Sequence, residues 1–318
     1  MKILKKLFPK SFLSGAKHQE RDSYFNYFSK HYFTNCAFCA IIYLTFISER
    51  HSQMKIADAH THIFPSKIAV KASKSIGDFY GLGMAFPADI DILRENEKKI
   101  GAERCLVCSA AVTASQVTSI NDFIASQCEK AKVDGSLILV GFCAMHPDFE
   151  GAAEELDRAK ELGLVGVKFH NDFQKFDIDD ERAIPLYREI AKRGMPILFH
   201  AGDDRYDYSA PHRIANVMKK IPELTVIVSH FGGYRRWHEL DCLPVNDRIF
   251  FDTSSSLDFL PIDDANRILH HFGPDRFMFG TDFPMWDAEE ELARFMKLDL
   301  SESDRENVLY NNFRRLFG

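Results

Sequence analysis

From residue 55 onward, apolar and polar positions follow one repeating rhythm: a short apolar run, a polar loop, then a longer stretch with helical spacing. The apolar runs are KIADA (55–59), RCLVCSA (104–110), LILVGFCA (137–144), VGVKF (165–169), PILFH (196–200), TVIVSH (225–230), IFFDT (249–253) and RFMFGTD (276–282). Between them lie amphipathic stretches such as ASQVTSINDFIASQCEKAK and FEGAAEELDRAKELG, with Gly163 and Gly194 placed as helix stops. Strands that alternate with helices imply a parallel sheet. Eight such units in about 265 residues match the size of a (β/α)8 TIM barrel. An open doubly wound sheet is the alternative, but no Gly-x-Gly-x-x-Gly follows any strand.

Composition narrows the function. The chain has 318 residues, 46% of them hydrophobic and 27% charged, enough to bury a sizeable core. Its net charge of −6 gives no basic footprint for nucleic-acid phosphates, so the expected partner is a small-molecule substrate. Residues 1–50 hold eight Lys/Arg and three Asp/Glu and carry +5, which leaves −11 on the rest. Their apolar run, CAFCAIIYLTFIS, is shorter than the roughly 20 residues of a spanning helix, so no stable membrane span is expected. A signal peptide would not carry some 35 polar and aromatic residues ahead of its apolar core. Residues 1–53 therefore read as a poorly ordered extension or a mis-assigned start ahead of Met54, with a short targeting segment as the alternative. Residues 54–318 read as the barrel domain.

Seven cysteines include two Cys-x-x-Cys pairs, Cys36/Cys39 and Cys105/Cys108. The second lies in a strand, where residues three apart face opposite sides and do not grip one ion. A reduced, cytoplasmic protein is the expectation.

Barrel enzymes place their chemistry at the carboxyl ends of the strands. There the sequence sets His60 and His62 on strand one, Lys168 and His170 at strand four, His200 at strand five, His230 at strand six and Asp282 at strand eight. Two histidines at i and i+2 on a strand project to the same face and suit one cation. The cluster, more than any single member, points to a metal centre.

DAHTH, ILFHAG, VIVSHFGG and FGTDFP resemble the amidohydrolase superfamily, in particular the branch that includes the aminocarboxymuconate-semialdehyde decarboxylase-like enzymes. The resemblance covers residues 55–318. It implies that His60, His62, His200 and Asp282 ligate a divalent metal, zinc with manganese as the alternative, and that His230 acts on metal-bound water or substrate. It also makes a homodimer the expected assembly, although no patch in the sequence marks one.

A zinc-like ion lowers the pKa of its water toward about 7, and Asp282 and His230 are the expected catalytic groups around it. Hydrolysis of an amide, ester or lactone is the leading expectation. Non-oxidative decarboxylation of an unsaturated or aromatic acid is the alternative with the same ligands. Lys168 reads either as a substrate contact or as a carbamylated bridge between two metals, which leaves the metal count open. Arg205 and His170 are further candidates for substrate binding, Arg205 because its fork matches a carboxylate. Asp287 reads as the N-cap of the last barrel helix, which leaves Asp282 free for chemistry. His146 reads as loop packing rather than a ligand.

Overall fold

A computed structural model describes residues 54–135 and 137–318. The expectations about residues 1–53, including the Cys36/Cys39 pair, lie outside the described residues. Eight parallel strands run in chain order around one sheet: β1 (Ile56–His62), β2 (Ala102–Cys108), β3 (Ile138–Ala144), β4 (Gly166–Phe169), β5 (Ile197–Phe199), β6 (Val226–Val228), β7 (Ile249–Asp252) and β8 (Phe277–Met278). β1 and the segment after β8 close the ring through Ala59 N–H to Phe279 O, Asp282 N–H to His60 O and His62 N–H to Phe283 O, each 2.8 Å. The chain folds as a (β/α)8 TIM barrel, as its apolar rhythm predicts.

The eight outer helices are α1 (Ser66–Tyr80), α2 (Ile90–Ile100), α3 (Val117–Asp134), α4 (Ala152–Glu161), α5 (Ile184–Lys192), α6 (Pro211–Lys220), α7 (Ile262–Phe272) and α8 (Ala288–Phe295). Local chemistry sets their ends. Asp89 caps α2 by accepting from Asp91 N, and Asp287 caps α8 by accepting from Glu289 N and Glu290 N. Gly163 and Gly194 follow α4 and α5 at φ 83 and 66, a backbone region that costs glycine little.

Inside the ring Ala57, Leu106, Val140, Phe142, Leu198, Ile227, Phe250 and Met278 form one apolar plug, and Tyr310 and Phe313 of the C-terminal segment pack against it. Gly166 belongs to this plug by necessity, since a Cβ there would lie 2.3 Å from the Phe142 ring. With the interior filled, the carboxyl ends of the strands are left to the site. Among the described residues no helix is long and apolar enough to cross a membrane.

β1 runs through His62, as the sequence places it, with His60 O accepting from Asp282 N and His62 N–H donating to Phe283 O. One boundary differs from the sequence pattern in a way that matters. β8 covers only Phe277–Met278; beyond it the chain bends, and Asp282 takes φ 58. The turn that starts at His230 is bent likewise, with φ 61 there and 53 at Phe231. Left-handed backbone at non-glycine residues costs of order 1–3 kcal/mol and concentrates at functional sites.

Candidate metal centre and cavity

His60 Nε2, His62 Nε2 and an Asp282 carboxylate oxygen converge at the mouth of the barrel. The two nitrogens are 3.1 Å apart, and Asp282 Oδ1 is 3.2 Å from the second and 3.6 Å from the first. The far side of each ligand is anchored. His60 Nδ1–H donates to Asp252 Oδ2 at 2.9 Å, which leaves a lone pair on Nε2. Ser255 Oγ–H donates to Asp282 Oδ2 at 2.6 Å, and Trp286 Nε1–H donates to that hydroxyl at 2.8 Å. Lys168 Nζ, fully buried, stands 3.0 Å from His60 Nε2.

A second facing pair lies beside the first. His230 Nδ1–H donates to Ser254 O at 3.2 Å, and His200 Nε2–H donates to Gly202 O at 3.0 Å. These bonds set the tautomers so that His230 Nε2 and His200 Nδ1 point lone pairs at each other across 3.0 Å. The His230 ring stacks on His60 with centroids 5.2 Å apart. Lone pairs aimed at one another at such distances repel unless a proton or a cation lies between them. Imidazole nitrogens and carboxylate oxygens with anchored outer atoms are the donor set a divalent cation takes. The residues therefore fit a metal ion.

The four expected ligands do not all meet at one point. His60, His62 and Asp282 cluster within 4.8 Å, whereas His200 groups with His170 and Asp172 and faces His230. His170 is buried and its Nε2 accepts from the Tyr80 hydroxyl at 2.9 Å. Arg205 is turned away: its fork clasps Asp203 at 2.9 and 2.6 Å, and its plane lies over the Phe79 ring at 4.6 Å. His146 packs edge-on against Phe176, and its Nδ1 accepts from Asp148 N at 3.2 Å.

Burial governs the electrostatics. Desolvation lowers His60 to about 4, assisted by the charge of Lys168, so its Nε2 stays an unprotonated donor. Burial also lowers Lys168, His200 and His230. For Asp282 burial alone would raise the carboxyl, but His60, His62 and His230 override it and hold it well below the usual carboxylate range. Asp252 behaves in the same way, through the charge of His60 and their hydrogen bond. His62 is raised to about 9, its desolvation outweighed by Cys108 and Asp282.

His62, His200, His230 and Asp282 border a cavity of about 660 Å³ whose other walls are largely apolar and aromatic, with Phe64, Phe79, Tyr80, Phe123, Phe173 and Tyr234 among them. Tyr80 is a site residue that the strand-end pattern missed. It arrives from the last turn of α1, which no count of strand ends reaches. Asp252 and Ser254 were missed for a related reason: they act behind His60 and His230 and do not line this cavity.

The amidohydrolase family model matches residues 57–318. A gamma-resorcylate decarboxylase from Polaromonas sp. (strain JS666) is 26% identical over 253 residues, 62% of this chain and 74% of the relative. An enzyme of the same name from Rhizobium sp. (strain MTP-10005) is 25% identical over 248 residues, with the same shares covered. Among solved structures, a dihydroxybenzoic acid decarboxylase from Polaromonas sp. JS666, with bound manganese and the inhibitor 2-nitroresorcinol, has the same fold. Its TM-score is 0.62 at 18% identity, covering 82% of this chain and 97% of that one.

These relatives correct one expectation. Hydrolysis gives way, since both sequence relatives are decarboxylases. The ligand set serves either reaction, so nothing in the histidine pattern separated them. The related structure holds manganese, the alternative expected beside zinc.

Proposed function

The chain belongs to the amidohydrolase family and is an enzyme of that superfamily, and from that premise we propose that it is a divalent-metal-dependent, non-oxidative decarboxylase of a hydroxylated aromatic carboxylic acid. The observation that carries this reading is the opening of the His60/His62/Asp282 cluster onto a cavity with aromatic walls. The names of the sequence relatives favour decarboxylation over other chemistry at such a cluster.

His60, His62 and Asp282 would hold a divalent cation, which would supply positive charge to polarise the acid's oxygens. The aromatic walls hold the ring. Asp282 borders the cavity and rests as a carboxylate, so it accepts the proton of the ortho-hydroxyl and returns it to the ring carbon that bears the carboxylate. The bond from ring carbon to carboxylate then breaks, its electron pair restores the aromatic ring as a phenolate, and CO2 leaves. Water reprotonates the phenolate, and no redox cofactor takes part. His230, with Nδ1–H fixed on Ser254 O and Nε2 turned toward His200 Nδ1, borders the cavity and orients the polar end of the substrate.

Incubation of the metal-loaded protein with 2,6-dihydroxybenzoate in deuterium oxide tests this. One deuterium at the carbon that lost its carboxylate is expected. Unchanged acid across a panel of ortho-hydroxybenzoates contradicts the reading.

A further inference from the structure

The cavity is much larger than the ring it is proposed to hold. A dihydroxybenzoate has about eleven non-hydrogen atoms, and even at the ~30 Å³ that a water occupies in the liquid it fills roughly half of the space, which measures about 660 Å³. The remainder has a distinct wall. Ile68, Ala72 and Ile76 recur every four residues along α1 and so share one face of it. Val112, Ile120 and Phe123, from the segment that leads out of β2 and from α3, line the same cavity. Ile68 and Val112 are 48% and 46% exposed, which leaves apolar surface in water. Apart from histidine, the one cationic residue among the lining is Lys175, from the loop after β4.

We infer that the substrate's ring carries an apolar chain of several carbons, which lies along this α1/α3 wall while the carboxylate and hydroxyl meet His62 and Asp282. The inference rests on the decarboxylase reading and names the substrate class within it. The occupant is part of the substrate because the wall belongs to the same continuous cavity as the ligand cluster. The α1/α3 wall holds no charged side chain among the lining residues, which selects an alkyl or aryl chain there, while Lys175 comes from the loop after β4.

The test compares resorcinol with 5-pentylresorcinol, binding measured by calorimetry on the manganese-loaded full chain. Neither ligand has a carboxylate, so the readout is independent of turnover. Each methylene buried contributes about 0.8 kcal/mol, so two of them correspond to more than tenfold. The pentyl compound is expected to bind at least tenfold more tightly, and Ala72→Phe and Ile120→Asp, each confirmed folded by thermal melting, are expected to bring the ratio toward one.

Equal affinities in the unmodified protein, together with CO2 release from dihydroxybenzoate, overturn the chain inference and leave the decarboxylase reading standing. A tenfold preference with no CO2 from any acid supports the apolar subsite and overturns the reaction. A wall that instead buries itself against a second copy, seen as a dimer that Ile68→Asp dissociates without any chain-length effect, overturns the inference as well.

Discussion

Asp252 Oδ2 lies 2.9 Å from His60 Nδ1, both side chains fully buried. The same carboxylate reaches the other histidine pair: its Oδ1 accepts from His230 N and from the Ser254 hydroxyl, and Ser254 in turn bonds His230. One buried acid from β7 thus sets the tautomers of rings on β1 and after β6. Asp252→Asn keeps the shape but puts the acceptor in doubt. It is expected to weaken manganese binding by about 10–100-fold, measured by chelator competition. Affinity unchanged from the parent protein would show that Asp252 does not orient the ligand.

Proton transfer is assigned to Asp282. Asp282→Asn is expected to lower kcat by about 10²–10⁴-fold. Because Asp282 also faces the metal ligands, metal content is measured in parallel. A variant that keeps its metal and its rate removes Asp282 from the chemistry. His230→Asn, which leaves the His60/His62/Asp282 cluster intact, is expected to raise KM and lower kcat with metal content preserved.

Tyr80 donates to His170 at 2.9 Å and lies 3.3 Å from His200 Nε2. Burial keeps its phenol well above the ordinary value, so it remains a donor at any working pH. Tyr80→Phe removes a bond worth about 0.5–1.5 kcal/mol, and kcat/KM is expected to fall by a factor of roughly two to ten. A loss beyond ~10²-fold would mean that the hydroxyl touches the reacting atoms.

Glu97 on α2 is fully buried beside the buried Asp58, the side chain that faces its carboxyl. Desolvation first, and the charge of Asp58 second, push it well above the usual carboxylate value. The folded chain therefore holds a proton that the unfolded chain releases. Stability from this group is complete below the ordinary carboxylate pKa and is lost as pH rises toward the folded value, at up to about 1.4 kcal/mol per pH unit. Melting temperature is expected to fall as pH rises above the ordinary carboxylate range, and Glu97→Gln, which needs no proton, is expected to flatten that fall by the share that Glu97 rather than Asp58, itself raised to about 7, contributes. An equally steep fall in the variant would place the titration elsewhere.

The barrel was legible in the chain because eight apolar runs separated by amphipathic stretches have few other ways to bury themselves. The cluster of His60, His62 and Asp282 was legible because the two histidines share a strand face and the aspartate follows an apolar run. Their partners were not. Asp252, Ser254 and Tyr80 act through contacts 22 to 194 residues distant in sequence, which no periodicity records. Arg205 looked suited to a carboxylate by residue type, yet Asp203, two positions before it, occupies its fork. The choice between hydrolysis and decarboxylation was closed to residue-level reading, since one ligand set serves both.

Metal-dependent CO2 release tests the central claim most directly. Protein freed of metal by chelation and reloaded with manganese is given 2,6-dihydroxybenzoate, with the His60→Ala/His62→Ala variant alongside, and CO2 and resorcinol are both measured. The account predicts equimolar CO2 and resorcinol from the reloaded protein and neither from the chelated protein or the variant. Full turnover without metal, or a metal-loaded protein that releases no CO2 from any ortho-hydroxybenzoate, would contradict it.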